Sequence, residues 1–441
     1  MTNGMAGTGQ TTSSIDRGTI GAVLFMAVFL FYWISLTPYY DLTGAGFLDP
    51  SANNSNRLNQ IVSLMLFGAM LVFGVMHPMR SMILQPRVLL GAIFFWFVFV
   101  SVLSMHSANS MKAVILAFMM MINASIFLLL PSSEQRFGKM LAIGSLITLA
   151  FSYYGVVFLP QFSIHQAAEV REPMNAGFWR GHFPHKNSAA AGMVMLSFFG
   201  LFVMRSWSRV LGGLIFVAAV FFLMHTGGKT STAMLPLILV LGWLFEQVRA
   251  MRALIVVGGV GAFNLFAVGS SVYAPFGELV ASMGIDSTFT NRADIWRFAF
   301  TAIAEHPFTG YGFRAFWQTE ELVYSGGSVE TWAVAAENGH NAFVDVLLAS
   351  GIPGLVLTIL WSVFIPLRDI ARIDPKRANP HLTRLFLRLW LYGLFYAGLE
   401  SLFYEGGNVL WFSFVAGIYG FRYQSSASLV GGAPNTGAVR A

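Results

Sequence analysis

Polar and apolar positions in this chain alternate in long blocks rather than as the two faces of an element. Twelve stretches, at residues 18–37, 58–76, 88–105, 111–130, 137–159, 188–204, 210–226, 231–246, 253–271, 342–366, 383–400 and 408–422, are apolar almost all the way round a helical wheel. A helix on the surface of a soluble core keeps one polar face toward water. A run of roughly 20 residues with no such face is what crosses the hydrocarbon core of a bilayer. The pattern therefore predicts an all-α, polytopic membrane protein with about 12 transmembrane helices. It divides the chain into a tail (1–16), an N-terminal transmembrane bundle (17–159), a first outer loop (160–186), central transmembrane helices (187–271), a large outer loop containing short helices (272–340), C-terminal transmembrane helices (341–423) and a second tail (424–441). The first apolar run is of spanning length and lacks a small-residue cleavage site, so it is read as a span and not as a cleaved signal.

Composition sharpens this picture. Only 10% of residues are charged and 56% are hydrophobic, against roughly 25% charged in a soluble domain. The net charge of +6 suits basic loops on the inner side of a membrane better than a nucleic-acid partner. The absence of cysteine excludes disulfides, thiolate metal sites, iron–sulfur clusters and a cysteine nucleophile. Gly227-Gly228-Lys229-Thr230 carries the Lys-Thr pair of a nucleotide-binding loop but not its upstream glycine or its strand–loop–helix setting, which argues against ATP hydrolysis.

With both ends inside, nine of the 26 basic residues fall outside: Arg57, Lys112, Arg171, Arg180, Lys186, Lys229, Arg292, Arg297 and Arg314. The remaining seventeen give the inward excess expected of an even number of spans. The outer minority has two readings. Acids such as Glu169, Glu172, Asp294 and Glu305 share that side and would leave the cations as ordinary solvated charges. Basic residues beside aromatics at a membrane surface also suit a phosphate-bearing lipid substrate.

Two positions carry more. In Arg292-Ala-Asp-Ile-Trp296-Arg-Phe-Ala-Phe-Thr-Ala-Ile303, the set Arg292, Ile295, Trp296, Ala299 and Ile303 follows helical spacing. Thr290 or Asn291 is the candidate N-cap, and His306-Pro307 with Gly310 the stop. The expectation is an amphipathic helix lying on the bilayer, with Arg292 heading its apolar stripe near the positive end of the dipole, where an anion is favoured, and Arg297 off the stripe in solvent. His340 stands where the large loop enters the next span. A histidine there suits proton transfer near neutrality, although a lone interfacial histidine is more often a capping or snorkelling residue. Asp345, about one turn inside, needs a partner.

His340-Asn341, nine residues, and then Gly351-x-x-Gly354 resembles the signature of the O-antigen ligase and Wzy polysaccharide polymerase superfamily. Two further stretches resemble the exopolysaccharide polymerases of the ExoQ type: Gly181-His-Phe-Pro-His185-Lys186-Asn187, and Arg292-x3-Trp296 leading into His306-Pro307-x-x-Gly310-x-Gly312-Phe313. The resemblance covers roughly 180–365. It implies a GT-C-like fold in the bacterial inner membrane and a periplasmic active site without metal or cofactor, while the inward excess of basic residues predicts cytoplasmic termini. The implied donor is a glycan on undecaprenyl pyrophosphate. His340 would then be the catalytic base, and Arg292 a pyrophosphate ligand. Lys229 falls where the family often has arginine, and a point charge binds phosphate less specifically than a guanidinium fork. Arg314, Lys186, Arg180, His185 and Asn341 complete the candidate substrate-binding set. Implied partners are the lipid-linked oligosaccharide, an acceptor glycan, the bilayer, and chain-length-regulating or export proteins.

The His185-Lys186-Asn187 stretch favours a polymerase over a ligase acting on lipid A core. Phe178, Trp179, Trp317, Tyr324 and Trp332 are candidates for stacking on sugars, or simply interfacial anchors. A transporter or flippase is the alternative of another class, disfavoured because the spans are nearly charge-free. A metal on His182 and His185 is disfavoured by the intervening Pro184.

Overall fold

A computed structural model describes residues 17–43, 57–170, 172–283, 292–319, 322, 332–376 and 378–426. Among these residues the protein is all-helical, with one isolated β-bridge between Ile164 and Trp179. In chain order the main helices are α1 (Arg17–Trp33), α2 (Arg57–Val75), α3 (Arg87–Leu103), α4 (Ser107–Phe127), α5 (Glu134–Phe158), α6 (Lys186–Ser206), α7 (Arg209–His225), α8 (Lys229–Gln247), α9 (Arg249–Val272), α10 (Ala274–Ser282), α11 (Arg292–Glu305), α12 (Ala342–Arg372), α13 (Pro380–Tyr396) and α14 (Val409–Ser426). Each of the twelve apolar stretches overlaps a helix. Seven of these (α2, α4, α5, α6, α8, α9 and α12) are long and apolar enough to cross a membrane, while α1, α3 and α7 are apolar but shorter.

The packing shows why the apolar pattern has no polar face. Large hydrophobic side chains on the outer helices, including Leu64, Met65 and Val72 of α2 and Val210, Val217 and Phe221 of α7, point away from the protein. The same helices bury Met70 and Phe73, or Ile215 and Phe222, inward. A helix apolar on both sides is solvated by lipid, and this is a polytopic membrane protein. At the centre, α6 and α14 are almost wholly enclosed. Helix α6 meets α7 through glycine: a Cβ on Gly200 would stand 2.8 Å from the Gly212 carbonyl oxygen, the close backbone approach on which helix association in lipid depends.

The connections gather at two ends. At one, Glu246 pairs with Arg384 at 2.9 Å and Asp369 with Arg422 at 2.9 Å. At the other, the Trp179 amide donates to His225 O at 3.0 Å and Arg314 pairs with Glu405 at 2.8 Å. The candidate residues lie at this second end.

Two expectations are corrected. The stretch 383–400 is not helical throughout: α13 ends at Tyr396, and Glu400 belongs to the connection leading to α14. The apolar stripe of helix α11 faces protein, not an open bilayer surface. Its stripe of Ile295, Trp296, Ala299 and Ile303 is buried, with Trp296, Ala299 and Ile303 packed against Ala267 and Val268 of α9 and Val344 and Leu348 of α12. A neighbouring protein surface satisfies an apolar stripe as well as a bilayer does, and the periodicity alone cannot tell them apart. The stop after Glu305 is where the His306-Pro307 pair predicts it. Its candidate caps Thr290 and Asn291 lie outside the described residues, as do Arg171, Tyr324 and the Trp332 side chain.

Candidate active site

The motif glycines hold the site together from behind. Gly351 breaks α12 with φ 64° and ψ −172°, a left-handed region that favours glycine. A Cβ there would fall 2.1 Å from Phe308 O, and one on Gly310 2.4 Å from Leu348 O. The break frees the 348–349 carbonyls, which accept from Tyr311 N at 2.8 Å and Gly312 N at 3.1 Å, while Ile352 N donates to Pro307 O at 2.9 Å. The turn that follows α11 is thereby clipped onto the helix that follows His340.

At the mouth of α12, Asn341 is the N-cap. Its Oδ1 accepts from Phe343 N and Val344 N, each at 3.0 Å. Its Nδ2 donates to Asn264 Oδ1 and Gly398 O, each at 2.8 Å. Asp345 finds the partners an acid at this depth needs: it accepts from Gly339 N at 2.8 Å, Trp317 Nε1 at 3.0 Å, and the Ser401 hydroxyl. These bonds flank His340, whose φ of 44° is unusual for a non-glycine residue and costs on the order of 1–3 kcal/mol, which the surrounding bonds must offset. The His340 amide donates to Asn338 Oδ1 at 3.0 Å.

Three motifs then meet on one carboxylate. Glu400 Oε2 lies 3.1 Å from His340 Nδ1, and Oε1 lies 2.6 Å from Arg292 Nη2 and 3.1 Å from Asn187 Nδ2. Arg292 also donates to Leu399 O. Burial pushes the Glu400 carboxyl up, but the Arg292 guanidinium and the His340 imidazole outweigh it and hold it at about 2, so Glu400 is anionic at neutral pH. Because a carboxylate only accepts, the His340 contact places the imidazole proton on Nδ1. In the neutral imidazole that leaves the lone pair on Nε2. The His340 side chain keeps 31% of its surface exposed, against 12% for Glu400.

Lys186 heads α6 with its ammonium 4.9 Å from the centre of the Phe178 ring, and it feels the charges of Glu172 and Glu400 as well as those of Lys229 and Arg292. Lys229 heads α8 and is exposed. Three helix N-termini, of α6, α8 and α11, thus bring their basic first residues to one region, where aligned backbone dipoles favour an anion.

The other candidates are placed differently. His185 caps α6, accepting from Asn187 N at 3.2 Å through Nδ1 and facing Glu172 at 2.9 Å through Nε2. Arg180 is buried and donates to Phe183 O at 3.2 Å and to Tyr40 O. His182 is enclosed between Ser152 Oγ and Trp33 O, so it faces away from His185's partners. Arg314 pairs with Glu405 and lines a separate cavity of about 390 Å³ with Tyr40, Asn59 and Phe183. Arg297 is 59% exposed, pairs with Asp294 and donates from Nε to Ser271 O at 2.8 Å. Trp179 stacks on His225. Sequence reasoning missed Glu400, which it enclosed within an apolar span. The available signal was the rule that an ionisable residue at the end of such a span is functional until shown otherwise.

The family model described as O-antigen ligase matches residues 214–359, about a third of the chain. That region carries Lys229, Arg292, Arg314, His340 and both motif glycines, but not Lys186, Asn187 or Glu400. The chain is also 25% identical over 220 residues to the exopolysaccharide production protein ExoQ of Rhizobium meliloti (strain 1021), a match covering 47% of this chain. The chain spans about half the length of this curated relative (50%). Together the two matches support the O-antigen ligase and Wzy superfamily, on its ExoQ-like side, as the group this chain resembles.

Proposed function

We propose that this protein is a membrane glycosyltransferase that polymerises lipid-linked oligosaccharide repeat units into a polysaccharide. The donor is a glycan on undecaprenyl pyrophosphate, the acceptor a sugar hydroxyl of a second glycan. The site faces the periplasm from the bacterial inner membrane, with both termini cytoplasmic, as the inward excess of basic residues favours. One observation carries the reading: a partly exposed histidine, bound through Nδ1, and a phosphate-binding type of arginine are held on the same carboxylate, beside two lysines at helix N-termini.

In this reading His340 Nε2 accepts the proton of the acceptor hydroxyl as its oxygen bonds to the anomeric carbon. The bond from that carbon to the pyrophosphate oxygen breaks, and the lipid pyrophosphate leaves with the electron pair. Arg292, Lys186 and Lys229 neutralise its growing charge, so the leaving group needs no proton. Asn341 is read as a support for the His340 turn, Arg180 and His185 as supports for the first turn of α6, and Arg314 as a more distant contact for the glycan. Chain-length-regulating or export proteins would act on the product.

A ligase is the second reading, favoured by the description of the matched family. Reconstitution distinguishes the two, using the lipid-linked oligosaccharide that accumulates in the native host when this chain is deleted. Long chains formed without lipid A core identify a polymerase, and transfer only onto the core identifies a ligase. Outward movement of the lipid with no new glycosidic bond would identify a flippase and overturn both. His340→Ala should abolish product while leaving membrane insertion intact.

A further inference from the structure

We propose that Glu400 is a positioning residue that couples donor arrival to activation of the base. It sets the His340 tautomer and holds Arg292 until a pyrophosphate takes that guanidinium over. The inference rests on the function proposed above and adds a residue that lies outside the matched family region.

A single side chain here serves several elements. Glu400 Oε2 faces only the imidazole, whereas Oε1 is shared by Arg292 of α11 and Asn187 of α6. The charged and titratable groups around it are Arg292, His340, Lys186 of α6, and Tyr392 and Tyr396 of α13. Lys229 and Arg292 lie near Lys186 in turn. A pyrophosphate entering among these cations competes directly with Glu400 for Arg292. A phosphate offers the guanidinium a bidentate partner, and the carboxylate repels the incoming anion.

The two events are therefore linked. While Arg292 is on Glu400, its positive charge offsets the carboxylate's pull on the imidazole. When Arg292 turns to the donor, the full negative charge of Glu400 bears on His340 and favours its protonated form. The base strengthens only when a donor is in place. No atom of Glu400 joins the reaction: the acceptor proton goes to His340 Nε2, and the resulting imidazolium is stabilised through Nδ1–H, the part a buried carboxylate plays in other histidine-based sites.

The test is Glu400→Gln in the full-length protein in lipid nanodiscs, with binding of undecaprenyl pyrophosphate measured apart from transfer of the lipid-linked oligosaccharide from the deletion host. Transfer should fall at least about 100-fold, the acid limb of its pH profile should move to lower pH, and undecaprenyl pyrophosphate should bind as tightly as before or more tightly, because Arg292 is released. A wild-type rate and pH profile, or a loss of binding that matches the loss of rate, would overturn the proposal. Should the Gln variant fail to insert, Glu400→Asp carries the test: a lowered rate at unchanged affinity supports the coupling, and an unchanged rate refutes it. His340→Ala run in parallel separates the two levels. If it still transfers, the function proposed above is wrong. If it is inactive while Glu400→Gln behaves as wild type, only the coupling is wrong.

Discussion

The Trp296 indole donates its N–H to the carbonyl of Gly339 at 2.8 Å. The helix that begins with Arg292 is thereby pinned to the residue just before His340, and the phosphate-binding candidate and the base candidate cannot drift apart independently. Trp296 is fully buried, so the bond is made out of water, where an unpaired carbonyl costs about 1–3 kcal/mol.

Trp296→Phe keeps most of the apolar volume and removes this tether. Transfer should fall about 3- to 10-fold, because misplacement of a catalytic group lowers rate steeply. Insertion and detergent-extracted yield should stay near wild type. Equal rates in the two proteins would mean that the packing of α11 alone sets the geometry.

Arg292→Lys should be more damaging than Arg297→Lys. The Arg292 guanidinium uses two nitrogens, one on Glu400 and one on Leu399 O, and an ammonium cannot reproduce that fork. Arg297 is 59% exposed; its two contacts, an ion pair with Asp294 on its own helix and a bond from Nε to Ser271 O at 2.8 Å, both lie away from Glu400. Such an exposed ion pair is worth roughly 0.2–1 kcal/mol. Transfer assays on the two variants should differ by at least about tenfold. Indistinguishable losses would remove Arg292 from the site.

Gly351→Ala should be among the most destabilising of the glycine substitutions. The residue sits at φ 64°, and a Cβ would overlap Phe308 O, so both strain and collision oppose it. A loss of more than about 2 kcal/mol is expected, read as a lower Tm in detergent and poor expression. Gly213 in α7 has nothing within 4 Å of its Cβ position. Gly213→Ala should be neutral or slightly stabilising, since alanine is the better helix former.

The His182 imidazole provides a pH signature of stability. Complete burial pushes it from 6.5 down to about 4, so between those values the unfolded chain binds a proton that the folded protein refuses. Stability is therefore unimpaired above pH 6.5 and declines as pH falls toward 4. Tm measured across this window should drop, and His182→Gln should lessen the dependence below pH 6.5 even if it lowers Tm overall, the remainder coming from His77, which burial also pushes down to about 4. A wild-type Tm constant from pH 7 to 4.5 would show that the ring is not held neutral.

Much of the fold is legible in the order of residues. The blocks of apolar side chains set the all-helical architecture and the positions of twelve helices, because a chain in lipid must satisfy its backbone within each segment. The same order exposes His340, Arg292, Lys186 and Lys229 as basic or titratable residues at helix entrances. It leaves α11 ambiguous, since an apolar stripe is equally content against lipid or against α9 and α12. It also hides Glu400, whose meaning lies in three partners distant along the chain. Only the tertiary structure, by turning α13 out at Tyr396 and folding α11 against α12, brings one carboxylate between an arginine and a histidine. Hydropathy is a property of segments and can be read from sequence. A shared hydrogen-bond partner is a property of the packed whole.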